Sequence, residues 1–431
     1  MARLLTYLIC LSVTAGITLL LFGCGAVGKY DSAVAIEDPQ PRGVVEVEDG
    51  GVLEVLDEDL AEFGNMVADA FQKGDRKVLW ERFDEGVFFN RALSEKIAEI
   101  RNKEVAGDFV RDEVSGLVED VITGLLGGVT KSDLAFVGSE PLEGENHFKV
   151  TLRQTTDWYF DYFILHVRVD NAGNYHVYDI EETVFLGEPL SEFCLAFYGS
   201  LLDAFDLIPN AVVDEDKWKQ APSLVEQMNN LTAYSRIQQI ARSGDYRRAL
   251  ASFYLVDTSV TQNFFAQRSL ISILLAAGEN HVDIQRTVEG LDRRWPEKLG
   301  TLNSMLVHYY NEQEYDKAMS VVEKLDGLVG PDVAWEISRA HLLCKKRQFK
   351  DAQEKLATLS TELGGVKSFY LELARAHAGL KDFEEVAVLL QGYEETFEEQ
   401  LTQEELVVLD WGASFTLSEP GKTFLNRNDQ E

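Results

Sequence analysis

Gln313-Glu314-Tyr315-Asp316-Lys317-Ala318 decides the fold: an aromatic residue stands three places before an alanine. Arg347-Gln348-Phe349-Lys350-Asp351-Ala352 repeats the pattern 34 residues later, and Gly379-Leu380-Lys381-Asp382-Phe383 brings the aromatic back after another 34. A fixed interval of this length requires a stack of similar supersecondary units, because one unit alone cannot bury its apolar face. Upstream, Ser243-Gly244-Asp245-Tyr246-Arg247-Arg248-Ala249 and Ala276-Ala277-Gly278 extend the series. The units start near Asn230, Phe264, Leu299, Val333 and Lys367, at intervals of 34, 35, 34 and 34.

This pattern resembles the tetratricopeptide repeat, a helix pair with small residues at its eighth and twentieth places. Ala340 and Ala374 fill the eighth place, and Ala249, Ala318 and Ala352 the twentieth. Leu306, Ile237 and Val386 depart from it, and Ile284 follows an inserted residue between Glu279 and Asp283. The resemblance implies an all-α solenoid of about five repeats over 230–400. An amphipathic capping helix over 401–418, centred on Glu404 to Phe415, and a flexible tail over 419–431 would follow. An unrelated helical bundle is the alternative.

In that family the first helices of the units line a concave face that binds extended peptides. Carried across place by place, the resemblance implies a groove of Tyr234, Gln238, Arg242, Arg268, Asn303, Tyr310, Asn311, His341, Lys345 and Arg375, with Ser272, Val307 and Leu371 beside them. Four of these are basic and none is acidic, whereas the whole chain carries 73 acidic against 40 basic side chains, a formal charge of -33. A basic, aromatic-dotted groove in an acidic shell favours an acidic peptide or a C-terminal carboxylate. Chance placement of four cations is the rival reading. The overall charge repels phosphate backbones, so no nucleic acid is expected as a partner.

The N-terminus reads as an export signal: Arg3, then an uncharged apolar run that ends at Leu21-Phe22-Gly23-Cys24. The ending resembles the lipobox of bacterial lipoproteins, with Phe22 in a slot that is usually small or β-branched. The resemblance implies a signal peptide over 1–23, acylation of Cys24, and anchoring to the outer membrane with the protein facing the periplasm. A single transmembrane helix over Leu4 to Phe22 is the alternative, since such a run spans a hydrocarbon core of ~30 Å. Residues 24–54, with Pro39, Pro41 and scattered acids, read as a flexible linker. Cys194 and Cys344 stand too far from any framework of cysteines to suggest disulfides and read as buried apolar residues.

Between linker and repeats the period changes. Leu60 to Phe71, Val78 to Leu93 (bent near Asp84 to Gly86) and Phe109 to Leu126 have the three-and-four spacing of amphipathic helices. Leu134 to Val137, His147 to Arg153, Trp158 to Val169 and Tyr175 to Phe185 read as strands, with a turn at Asp170 to Asn174, and Leu190 to Leu207 as a helix leading out. Residues 55–208 are thus an α+β domain, helices packed on an antiparallel meander, followed by a connector over 209–229. The order resembles the nuclear-transport-factor-like and cystatin-like cones, some of which hold small molecules or use an Asp and His pair. With a regular hairpin, His166 faces Tyr178 and Arg168 faces His176, while Asp161 and Asp179 point to the other side. An acid–base pair of His166 or His176 with Asp161 or Asp179 on the opposite face then needs a bulge, and surface or packed histidines are the plainer reading.

No phosphate loop, metal-binding helix, nucleophile elbow or paired Cys-x-x-Cys occurs, so no cofactor, metal or catalytic residue is expected. The sequence therefore suggests a lipid-anchored adaptor that binds protein partners through its repeats. The alternative is a small-molecule or lipid carrier, or an enzyme, with a pocket in the α+β domain bounded by Trp158, Phe160, Tyr162 and Ile164, the repeats serving as a positioning module.

Overall fold

The computed structural model describes residues 55–100, 133–183, 187–206 and 222–427, with gaps at 56, 74, 76, 144–145, 156–159, 279–280 and 331. The export segment with Cys24, the linker, the helix expected over 109–126, and Trp158 lie outside the described residues. Among the described residues no helix is long and apolar enough to cross a membrane. These residues fall into two compact units, one of 55–154 with Tyr162–Thr301, the other of 302–427 with 155 and 160–161. The division falls within the repeats rather than at the expected connector.

The first unit opens with helix Asp57–Gln72, whose Leu60, Phe63, Val67 and Phe71 are buried along one stripe. It packs on strand β1, Asp133–Pro141. Approach there is so close that a Cβ on Gly64 would stand 2.3 Å from the Phe136 ring. The expected second helix is broken at its acidic bend into Lys77–Glu81 and Glu85–Ala98, and the Asp84 side chain caps the second piece by accepting from the amide of Val87. Strands β2 (His147–Thr155), β3 (Phe160–Val169) and β4 (Tyr175–Glu182) complete a sheet of order β1-β2-β3-β4. The outer edge of β4 is covered by residues 82–84, through Val177 N–H to Arg82 O at 2.8 Å and Asp84 N–H to Val177 O at 2.7 Å.

The β3–β4 hairpin is closed by Asp170, whose carboxylate accepts from the amides of Ala172 and Asn174, the Asn174 side chain and His176 Nε2. Gly173 supplies the positive φ of 83°. Arg168 pairs with His176 as the regular hairpin requires, and Val167 with Val177. The register then slips: His166 pairs with Asp179, and Tyr178 is the extra residue of a β-bulge. The expectation that Asp179 turns away from His166 is thereby corrected. Helix Leu190–Asp206 packs on β4 and on Glu85–Ala98, and also on the first repeat helix.

That helix, Pro222–Arg242, begins eight residues before the expected start at Asn230. Helices Tyr246–Phe253, His281–Arg294, Tyr315–Val329, Phe349–Ala357 and Phe383–Phe397 open the second halves of five successive helix pairs. Their starts are separated by 35, 34, 34 and 34 residues. The turn before each has one residue in the left-handed region: Gly244, Gly278, Gln313, Arg347 and Lys381. At four of these turns the amide of the following residue reaches back five places, from Asp245 to Ile240 O, Glu314 to Tyr309 O, Gln348 to Leu343 O and Asp382 to His377 O. The left-handed residue itself bonds three places back. This is the Schellman closure, which satisfies helix-end carbonyls while reversing the chain. Ala249, Ala318, Ala352 and Val386 at the twentieth place are fully buried, as are Ala340 and Ala374 at the eighth. Where Gly379 meets the recurring aromatic of the preceding pair, a Cβ would lie 2.2 Å from the Phe349 ring.

The C-terminus differs from expectation. In place of one capping helix and a fraying tail there are three short helices, Gln403–Val407, Gly412–Thr416 and Glu419–Arg427. The first is closed by a capping box of Thr402 and Glu405. Gly412 and Gly421 allow the crossings, since a Cβ would stand 1.8 Å from Leu406 O at the one and 2.0 Å from Phe415 O at the other. Leu406, Trp411, Phe415 and Phe424 enter one core with Leu371, Val386 and Leu390. Phe424 is what holds the supposed tail, and Arg427 pairs with Glu394 at 2.5 Å. Cys194 and Cys344 are buried free thiols, and burial pushes both up, Cys344 to about 12.

Candidate functional site

In the first two repeats the inner helix face is used by the chain itself. Tyr234 is fully buried, with its ring 5.3 Å from that of Phe197 and its hydroxyl 3.1 Å from Ser269 Oγ. Phe265 stands edge-on to Phe193 at 5.0 Å. Phe193 and Phe197 both belong to helix Leu190–Asp206, which therefore lies where an extended ligand was expected. Gln238 and Ser272 are buried. Arg268 is buried too, and its Nη2 donates to Thr183 O at 3.4 Å, so it anchors the strand end after β4. Arg242 ends its helix. The sequence signal for this occupant was present in the apolar stripe Leu190, Phe193, Phe197, Leu201, but nothing in its spacing says which surface it covers.

From Leu302 onward the first helices carry a row of polar side chains 31 residues apart. The Tyr310 hydroxyl meets His341 Nε2 at 3.0 Å, with the two rings stacked at 5.5 Å. His341 Nδ1 meets Glu372 Oε1 at 2.9 Å. Glu372 Oε2 lies 2.8 Å from Arg375 Nε, and the Arg375 guanidinium also pairs with Asp410. Lys345 Nζ donates to the second oxygen of Asp410 at 2.6 Å and stands 5.9 Å from the centre of the Tyr310 ring. The six side chains thus close a ring across three helix pairs and the C-terminal turn.

Charge in this ring is balanced by two acids that sequence reasoning missed. Glu372 stands at the sixth place of its unit, outside the set of groove positions, and Asp410 comes from the turn between the short helices. Burial works against ionisation of Glu372, yet Arg375 and His341 outweigh it and hold the carboxyl down at about 2. For Asp410 burial is likewise outweighed by Arg375 and Lys345, and the carboxyl is held below its usual value. Arg375 and Lys345 are therefore paired cations rather than a free positive surplus. Beside the ring, Asn303, Val307, Tyr310 and Asn311 form a half-buried stripe at helical spacing, together with His341 and Lys345.

A second polar cluster sits on one face of the sheet in the α+β region. The bulge at Tyr178 brings His166 and Asp179 to the same side. Asp179 is 0% exposed and accepts from Ser191 Oγ at 2.5 Å, Ser191 N at 3.1 Å and Ile180 N at 2.9 Å, with Arg91 Nε at 3.4 Å. Burial pushes its carboxyl up against the pull of His166, Ser191 and Arg91. His166 is 3% exposed, and neither ring nitrogen has a hydrogen-bond partner among the described residues. Its closest acid is Glu181, at 3.7 Å. Tyr178 stands edge-on to His166 at 5.9 Å and bonds His147 Nδ1 through its hydroxyl at 3.1 Å. Arg91, half exposed, covers the Tyr178 ring at 5.7 Å. Tyr162 and Ile164 are fully buried.

Compared with known proteins, the chain matches no family model, no curated protein and no solved structure.

Proposed function

We propose that the protein is a lipid-anchored adaptor of tetratricopeptide type, tethered through Cys24 to the periplasmic face of the outer membrane. On this reading it binds an extended segment of a protein partner along the first helices of its C-terminal repeats. The observation that carries the reading is the half-buried stripe of Asn303, Val307, Tyr310 and Asn311 with His341 and Lys345 on the next helix. Such a strip offers the Asn311 amide to a peptide backbone and apolar and aromatic area, from Val307 and Tyr310, to its side chains. The first two repeats do not take part, because Phe193 and Phe197 already fill them. Arg268 and Arg375 are buried, so charge reversal there would act on the fold rather than on a partner. Val307→Glu with Asn311→Arg should instead abolish capture of the envelope partner, while Glu323→Lys on an exposed outer position leaves it intact. Equal capture by the two variants would remove the reading. Cys24→Ser should release the protein from the membrane fraction; retention would favour a transmembrane helix.

His166, buried beside Asp179 and Tyr178 without a hydrogen-bond partner among the described residues, supports a second reading, a small-molecule site in the α+β region. A metabolite that raises Tm of the protein but not of His166→Leu would support it, and a screen in which both respond alike would count against it.

A further inference from the structure

We propose that Lys345 and Arg375 form a carboxylate seat which the chain fills with its own Asp410, so that the protein carries an internal competitor for the acidic end of a partner. The inference rests on the adaptor reading for its purpose, though not for its test.

Three observations carry it. The first is chemical: one oxygen of Asp410 takes Lys345 Nζ at 2.6 Å and the other takes the Arg375 guanidinium, so a single carboxylate is held by two cations from successive first helices. That is how a bound carboxylate is recognised, by charge-assisted bonds to both of its oxygens. The second is electrostatic. With Asp410 the four charges of Lys345, Arg375, Glu372 and Asp410 cancel; without it Arg375 keeps Glu372, and one positive charge is left over at Lys345, whose side chain is 18% exposed, beside a guanidinium that is 6% exposed. A buried cation without its counter-ion is costly, so an emptied seat should draw in another anion.

The third observation is that the occupant can leave without unfolding what carries it. The Asp410 side chain is 37% exposed and lies in the turn between two five-residue helices. The residues that fix that turn are its neighbours Leu409, Trp411 and Phe415, which are buried in the C-terminal core. A rotation of one side chain therefore opens the seat, whereas moving the cap would break a packed core. The seat also adjoins the proposed strip, because Lys345 stands over the ring of Tyr310. An extended peptide on Asn303, Val307 and Tyr310 that ends in an acid would meet Asp410 first and must displace it.

The test uses the full chain and acetate as the probe. Asp410→Ala should gain about 3 °C in Tm at about 100 mM acetate over the same ionic strength of chloride. The unaltered protein should show no such difference, and Lys345→Met added to Asp410→Ala should erase it. Acetate and chloride acting alike on Asp410→Ala would overturn the proposal. Should Asp410→Ala fail to fold, Asp410→Asn keeps the shape of the side chain. It should bind a fluorescein-labelled acidic peptide with a free C-terminal carboxylate about tenfold more tightly than the unaltered protein does. Equal affinity would likewise overturn it. Because the acetate response needs no partner, it can fail while the Val307 and Asn311 variants still lose capture, and the converse holds as well.

Discussion

Glu372 shows what one buried charge does in this molecule. Its carboxylate is shared between His341 Nδ1 and Arg375 Nε, and it is held at about 2 against an ordinary value of 4.5. A lowered folded value means the charged form stabilises the fold. That contribution is complete above about pH 4.5 and fades as pH falls toward 2. Glu372→Gln should therefore cost about 3 kcal/mol near pH 7, by leaving Arg375 short of a counter-ion. Urea titrations of both proteins should converge as pH drops below 4.5. A gap that stays constant down to pH 2 would mean that the carboxylate is not the source of the effect. Asp410 is held low as well, but its side chain is 37% exposed, so solvent screens more of its share.

At the scale of elements, the turns between paired helices explain both the regularity and its tolerance of sequence. Each needs one residue in the left-handed region, yet only Gly244 and Gly278 are glycines, and Gln313, Arg347 and Lys381 bear the strain. Lys381 is exposed, so Lys381→Gly should stabilise the protein by about 0.5 kcal/mol, and Lys381→Val should destabilise it by about 1–2 kcal/mol, as read by thermal unfolding. The reverse order would show that the turn does not govern these hairpins. The 34-residue interval was legible because turn, aromatic and small residue each recur in the chain itself. The bulge at Tyr178 was not, because it is favoured by partners far along the chain: Ser191 and Arg91 draw Asp179 inward. The same holds for the first repeats. Phe193 and Phe197 were legible as one apolar stripe, but their seat against Phe265 and Tyr234 arises only in the fold. The C-terminal helices escaped notice because Phe424 is a lone aromatic in a polar run, and the glycines at 412 and 421 look like breakers until the close crossings are seen.

For the whole molecule, the charge of -33 sets the conditions under which any partner is met. On the proposed reading, acidic peptides are repelled at long range and bind only at a local site, so the paired cations near Tyr310 matter more than the net balance. Helix Leu190–Asp206 packs on Phe265 and Tyr234 of the first two helix pairs, so on the proposed reading a partner binds the stretch after Leu302. Site-specific photocrosslinking in intact cells tests this most directly, with the reactive residue placed at Val307 in one strain and at exposed Glu323 in another. The account predicts a discrete adduct from Val307 that is lost when Asn311→Arg is added, and none from Glu323. Adducts of the same size from both positions, or from Val307 regardless of Asn311, would contradict it.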